Sequence, residues 1–477
     1  MKNRKVAESY FFSLMYNFLS ILTPLITAPY VARVLEPDGI GIYSLTLNNV
    51  NYLVVLGVLG LGTYGQFEIA KVKDSLQDRS KIFFEILFTR LITHSISLIG
   101  FIMLIYEVQE YKVMYFIQGV ILISSMFDVT WFFQGIEEFK KIALRNTVVK
   151  VVNVILIFLF VQNKSDLVIY TIIFVGCNLV GNLCFVPILK NYLCKINYNT
   201  LKFRPHINGA LIFFVPSVAA MLGSSVDKTM IDLFNKLPEE NGYYAQASKI
   251  ENLFFTMFSS LNLVMRSRMA YLFSNAKSDD IKQLMHKSLR FVVFLSFPIA
   301  FGMAGLADNF VPWFFGDGYE KVATLMMIFA GWMIFKPISN CVLEQDIMAS
   351  GRQKVFNTII WIGAISNIVL NLILIPLFAS IGAAIASVAS EFIIFLVTML
   401  KCSENVKLGE ILQSSKNNLI AAMLMFMAML SVSLMIDIPI FITVLQGVLG
   451  LIVYIFVLYL LKDQMCKDLL AVVLKRK

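Results

Sequence analysis

Residues 357–400 read NTIIWIGAISNIVLNLILIPLFASIGAAIASVASEFIIFLVTML, and Glu391 is the single acidic or basic residue among them. The stretch holds two apolar segments of about 20 residues, 357–378 and 381–400, each long enough to cross a hydrocarbon core of about 30 Å. Inside lipid every backbone amide must be satisfied by the protein itself, so such segments are helices or strands of a closed barrel. Barrel strands are half as long and alternate apolar with polar residues. This stretch does neither. Comparable runs recur along all 477 residues, of which 58% are hydrophobic and 15% charged, with a mean hydropathy of +0.76. A soluble domain is closer to a quarter charged. The reading is an all-α polytopic membrane protein.

Fourteen spans are expected, at 9–33, 42–65, 82–106, 113–134, 147–162, 167–189, 209–234, 243–265, 290–311, 322–345, 357–378, 381–400, 417–436 and 440–461. Charge tests the count. Alternate connections, beginning with Lys2, Arg4 and Lys5 and ending with Lys462, Lys467, Lys475, Arg476 and Lys477, collect 31 of the 40 lysines and arginines. The short loops between them hold Lys112, Lys164, Lys236 and Lys321. This asymmetry places both termini in the cytoplasm. It also accounts for the net charge of +9, so nucleic acid is not an expected partner. The start, Met1 to Lys5, runs into a segment too long for a signal h-region. The six cysteines fall in spans or basic loops, which argues against a disulfide framework.

An internal echo relates the two halves. At a shift of 201, Pro37, Gly41, Tyr43 and Asn51 fall on Pro238, Gly242, Tyr244 and Asn252. At a shift of 216, Asp128 and Gly135 fall on Glu344 and Gly351, and Asn146-Thr147 matches Asn357-Thr358 at 211. Spans 1–6 (residues 1–206) then correspond to spans 7–12 (207–402), in the parallel type of transporter repeat. Residues 403–477 add two spans and a tail.

Several stretches carry a family likeness: Leu22-Thr-Pro-Leu-Ile-Thr-Ala-Pro-Tyr-Val-Ala-Arg-Val-Leu35, Gly39-Ile-Gly-Ile-Tyr-Ser44, Tyr64-Gly-Gln-Phe-Glu-Ile-Ala-Lys71, Asp128-Val-Thr-Trp-Phe-Phe-Gln-Gly135 and Gly382-Ala-Ala-Ile-Ala-Ser387 leading to Glu391. With these the chain resembles the Wzx-class polysaccharide flippases, within the superfamily that includes multidrug and toxin extrusion transporters. Glu36 departs from the pattern, which has glycine after Arg-Val-Leu. The resemblance implies transfer of an undecaprenyl-diphosphate-linked oligosaccharide from the inner to the outer leaflet, without an enzymatic step. It implies membrane lipids and the polymerase and chain-length machinery as partners, and a cavity lined by spans 1, 2, 7 and 8.

Moving a diphosphate and sugars past hydrocarbon demands cations and amides or hydroxyls in a wet cavity. Intramembrane charge is costly unless it faces such a cavity or a protein interior. The candidates for substrate binding are Arg33, Asn48, Asn51, Arg90, Lys228, Lys249, Asn252 and Lys336. Ser44, Asn48 and Asn51 form one polar stripe on span 2, and Ser248, Glu251 and Asn252 lie on span 8. Structural readings stand beside the functional ones. Lys228 and Asp232, four apart, can neutralise each other; Arg33 can snorkel; asparagines often join membrane helices. Arg90 lies ~12 Å from the inner end of span 3, with His94 one turn on. Lys336 precedes Pro337, and Glu391 is a conceivable counter-ion. Pro24, Pro29 and Pro216 predict kinks that suit alternating access.

No Gly-x-x-x-x-Gly-Lys-Ser/Thr loop, His-Glu-x-x-His or paired Cys-x-x-Cys occurs, so neither ATP hydrolysis nor a zinc centre is expected, and no cofactor. An ion gradient remains as the drive, with Asp227, Asp232 and Glu251 as coupling candidates. Two rival functions stay open: export of drugs or small cations, and polymerisation or glycosyl transfer on the same lipid-linked sugars. The latter generally needs a large outer loop, and the longest here, around Asp308–Lys321, is short.

Overall fold

The computed structural model describes residues 2–275, 278–403, 406, 408–433 and 438–468. Its described residues form helices and connecting turns, with no strand among them. In chain order the helices are α1 (Lys2–Val58), α2 (Leu61–Lys71), α3 (Leu76–Glu107), α4 (Lys112–Met126), α5 (Thr130–Gly135), α6 (Phe139–Phe160), α7 (Leu167–Leu183) and α8 (Val186–Leu189). They continue with α9 (Arg204–Asn235), α10 (Pro238–Ser274), α11 (Ser278–Phe315), α12 (Glu320–Val342), α13 (Gln353–Lys401), α14 (Leu408–Ser433) and α15 (Pro439–Leu460). Eleven of the described helical stretches are long and apolar enough to span a bilayer. Two of these, in α1 and α13, are each two helices joined at a break, at Glu36 and Ala379. Helix α10 has the length of a span but is too polar to be counted. Adding these gives fourteen helical crossings, in register with the fourteen apolar segments of the sequence.

The breaks have local causes. Glu36 sits at φ 58°, ψ 173°, a conformation that glycine alone adopts freely. The glycine of the flippase pattern is therefore replaced at a position whose backbone favours glycine. Ala379 sits at φ 52°, and three residues on the chain folds back closely. A Cβ at Gly382 would lie 2.2 Å from the Leu374 carbonyl oxygen, so the arms of α13 meet there only because position 382 has no side chain. Other spans are less regular than their hydropathy suggests. Span 4 divides at 127–129, where the Asp128 carboxylate accepts the Thr130 backbone N–H (3.0 Å) in the turn before α5. Span 6 divides between α7 and α8, and α12 runs into a wider π turn at Leu343–Met348.

The chain separates into two compact units, Met1–Thr229 and Met230–Lys477. In the first, Phe83, Trp131, Phe132, Phe133 and Phe185 pack into an aromatic core joining α3, α5 and the α7–α8 junction. In the second, a larger core of Met285, Val292, Phe297, Met425, Met429 and Tyr454 joins α11, α14 and α15. Loop contacts inside each unit test the alternation of the crossings. Lys164, between α6 and α7, pairs with Glu36 (2.6 Å) and Asp38 (3.0 Å) at the break of α1, and these are loops assigned to one face. Lys73 and Glu137 (2.8 Å) join two loops assigned to the other. In the second unit Glu240, before the apolar part of α10, binds Lys321 (2.6 Å) and both the backbone and hydroxyl of Ser380. Those three loops also carry one assignment. A missed or surplus crossing would separate such partners by the thickness of the bilayer.

Candidate functional site

The polar stripe of span 2 does not act as one surface. Asn48 is buried, and its amide donates to the Ser225 carbonyl (2.8 Å) and Thr229 Oγ1 (3.1 Å) of α9. Thr229 in turn donates to Asn49 Oδ1 (3.0 Å), and Asn49 donates to the Tyr115 hydroxyl of α4 (2.7 Å). The Tyr52 hydroxyl lies 3.0 Å from Thr229 Oγ1 and closes the network. Asn48 therefore ties α1 to α9, while Asn51 is exposed and remains open to a ligand. Asn49, Tyr52, Tyr115 and Thr229 were not among the expected residues. Asn49 lies about 100° from Asn48 round the helix, off the stripe that periodicity selects.

This clamp fixes the rotation of α9. With Ser225 and Thr229 held against α1, Lys228 points about 60–100° away from the clamped face. It is half-buried, makes no hydrogen bond or ion pair among the described residues, and has the Asp227 carboxylate as its electrostatic neighbour. The neutralising pair that a spacing of four allows does not form. Asp227 is 1% exposed and Asp232 half-buried; both have partners. Arg33 is exposed near the break of α1 and is also engaged by another group.

Arg90 is placed differently. It is 2% exposed, and its guanidinium donates to the Asp128 carbonyl (2.8 Å) with the Asp128 carboxylate at 3.8 Å. His94 Nδ1–H donates to the Arg90 carbonyl (2.9 Å) and Nε2 lies 2.8 Å from Ser125 Oγ, while its ring fills the space left by Gly57. These residues brace the broken end of span 4 rather than line an opening.

In the second unit, Lys336 donates to Glu391 Oε2 (2.9 Å), and Ser339 donates to Glu391 Oε1 (2.6 Å). Glu391 is 3% exposed, so the pair is a neutralised strut between α12 and α13. Lys249 reaches Gln246 Oε1 (3.1 Å), Glu251 is buried with a partner, and exposed Asn252 donates to the Ser248 carbonyl (2.8 Å). A relay that the sequence reading missed runs from Gln345 through Asn262 to Asn340, at 2.8 and 2.7 Å. Beside it Arg266 donates to Glu344 (2.8 Å). All six cysteines are free, and no cluster of metal-ligating groups occurs among the described residues.

A model of the family described as polysaccharide biosynthesis protein matches residues 6–265, more than half of the chain. The chain belongs to the polysaccharide biosynthesis protein family. A protein of Escherichia coli strain K12 named as an O-antigen transporter is 24% identical over 391 residues, covering 80% of this chain and 93% of that protein. A Shigella dysenteriae protein of the same name is 23% identical over 387 residues, covering 80% and 95%. Among solved structures, the lipid II flippase MurJ in an inward closed conformation aligns with a TM-score of 0.77 at 17% identity, over 97% of this chain and 100% of that one. An inward-facing multidrug transporter of the MATE family aligns with a TM-score of 0.62 at 10% identity, over 80% and 96%. This chain thus shares the multi-pass helical fold of both groups, and the likeness to the lipid flippase extends over α14 and α15 as well as the twelve preceding crossings.

Proposed function

We propose that the chain is a flippase for an undecaprenyl-diphosphate-linked oligosaccharide, moving it from the cytoplasmic to the outer leaflet of a bacterial inner membrane for surface polysaccharide assembly. One combination carries the reading: membership of a polysaccharide biosynthesis family in a chain built throughout on the fold of a lipid flippase. The cytoplasmic termini follow from the distribution of lysine and arginine. The halves 1–206 and 207–402 move as the two repeats, and 403–477 is an addition to them.

Lys228 is the leading contact for the diphosphate, because a half-buried ammonium with no ion pair has charge to offer an anion. Arg33 and Lys249 are secondary contacts, and Asn51 and Asn252 offer exposed amides for sugar hydroxyls. Arg90, Lys336 and Asn48 act through the helices they hold. Asp227, Asp232 and Glu251 are the carboxylates through which a proton or sodium gradient would be coupled, since burial favours the protonated form and a nearby cation the charged one.

The test is transfer of a lipid-diphosphate sugar in proteoliposomes under imposed proton or sodium gradients, with an organic cation as the competing cargo. The proposal expects sugar-lipid transfer accelerated by one gradient, with that acceleration lost in Asp227→Asn or Glu251→Gln. Export of the organic cation without transfer of the sugar lipid would make the protein a drug exporter instead.

A further inference from the structure

The second unit contains a polar cavity of about 660 Å³ that the transport reading does not use. Three elements meet around it: the first turns of α11, the first turns of α14, and the chain just after α15. Lys282, His286 and Arg290 recur every fourth residue and so form one stripe on α11 facing the cavity. Lys462 joins the lining from the chain just after α15, on a residue at φ 55°. Buried Asn418 lines the floor, its Oδ1 held 2.7 Å from the Tyr454 hydroxyl.

Positive charge is expected on this face of a membrane protein, but its convergence on one cavity is not. Lys282, Arg290 and Lys462 make no ion pair and no side-chain hydrogen bond among the described residues. Against these three cations the lining carries two carboxylates, Asp279 and Asp463, which leaves a net charge of +1. Asp463 Oδ1 accepts the backbone N–H groups of Met465 (2.9 Å) and Cys466 (3.2 Å) and so caps the terminal turn, and Asp279 is exposed at the rim. Three cationic side chains with no hydrogen-bonded partner among the described residues leave charge-assisted bonds to an anion unmade, and the net positive charge favours one. The donor set suits phosphate: a guanidinium fork and two ammonium groups that adapt to any oxygen. The volume lies within the range of small-ligand sites.

We propose that this cavity binds a phosphate-bearing anion, whose occupancy fastens α14 and α15 to α11. The ligand is the phosphate of an acidic lipid headgroup or a soluble phosphate, and the two are separable by experiment. The full chain in neutral detergent is titrated with inorganic phosphate against chloride at matched ionic strength, following the thermal unfolding midpoint. In parallel it is placed in nanodiscs of phosphatidylcholine with and without phosphatidylglycerol. The proposal expects a rise in midpoint with phosphate, with phosphatidylglycerol, or with both. In the triple variant Lys282→Gln, Arg290→Gln, Lys462→Gln the half-saturating concentration should increase about tenfold or more, as for the loss of one or more charge-assisted bonds. The pair Lys71→Gln, Lys73→Gln, basic residues of the first unit away from the cavity, should leave the titration unchanged. A shift with phosphatidylglycerol alone assigns the lipid headgroup, and one with phosphate in detergent assigns a soluble ligand. An equal shift in the triple variant, or no shift with either probe, overturns the proposal.

Discussion

Lys336 and Lys228 are both lysines set in apolar helices, and hydropathy treats them alike. Lys336 is answered by Glu391, which is itself held by Ser339, so the charge is cancelled where it lies. Lys228 has no such bond among the described residues, with the adjacent Asp227 as its electrostatic neighbour, and stays half-buried. Arg90 belongs with Lys336, since its guanidinium is committed to Asp128. Intramembrane charge in this protein therefore does two jobs. A charge fully answered by its own helices stabilises their packing; one left unanswered is, on the function proposed above, the one that meets the substrate. Composition cannot separate these, because the partners lie 55 residues apart for Lys336 and 38 for Arg90.

The largest expected effect is on the answered charges. Glu391→Ala leaves Lys336 buried without its counter-ion and should cost about 3–5 kcal/mol, read as loss of folded protein in a thermal unfolding assay. The paired change Lys336→Met, Glu391→Leu removes both charges and should recover most of that loss, with transport per folded molecule retained. Recovery of stability without transport would move Lys336 into the substrate site and break the comparison.

Glu240 offers a smaller effect outside the spans. Burial alone would raise its pKa, but the Lys321 ammonium and the two Ser380 donors outweigh this and hold the carboxylate below its usual range. A depressed folded value means that the contribution is complete above the ordinary carboxylate pKa of about 4.3 and fades as pH falls through the folded value. Glu240→Gln should lower stability at neutral pH by roughly 1–3 kcal/mol and make unfolding less sensitive to acid. An unchanged acid limb would mean that the clasp does not form.

The smallest effect is at Glu36, where two terms oppose. Glycine at this position relieves a backbone strain of about 1–3 kcal/mol, while the exposed contact with Lys164 that it removes contributes little. Glu36→Gly should therefore raise the unfolding midpoint slightly and Glu36→Ala should lower it, because alanine keeps the strain and loses the contact. A lower midpoint for the glycine variant would show that the ion pair, not the backbone, governs this break.

The topology was legible because two independent signals, apolar length and basic loops, had to agree over fourteen crossings. Their agreement found α10, which hydropathy alone rejects, since without that crossing the alternation of basic loops would fail downstream. Local backbone was less legible. The break at 127–129 carries a local turn in which the Asp128 carboxylate accepts the Thr130 N–H, and a hydropathy window averages over it. The candidate site was read one helix at a time. Periodicity found the stripe of Asn48 and Asn51 but not that α9 covers the first and leaves the second open. The family likeness anticipated the glycine position at 36, and the positive φ there explains why glycine is the usual choice.

The central claim is that Lys228 meets the substrate whereas Lys336 does not. The direct measurement is gradient-driven transfer of a lipid-diphosphate sugar in proteoliposomes, normalised to folded protein, for Lys228→Gln beside the paired Lys336→Met, Glu391→Leu. The account predicts that Lys228→Gln folds normally and loses about tenfold or more of its transfer rate, as for one charge-assisted contact, while the paired variant transfers at the wild-type rate. Wild-type transfer by Lys228→Gln, or its failure to fold, would contradict the account.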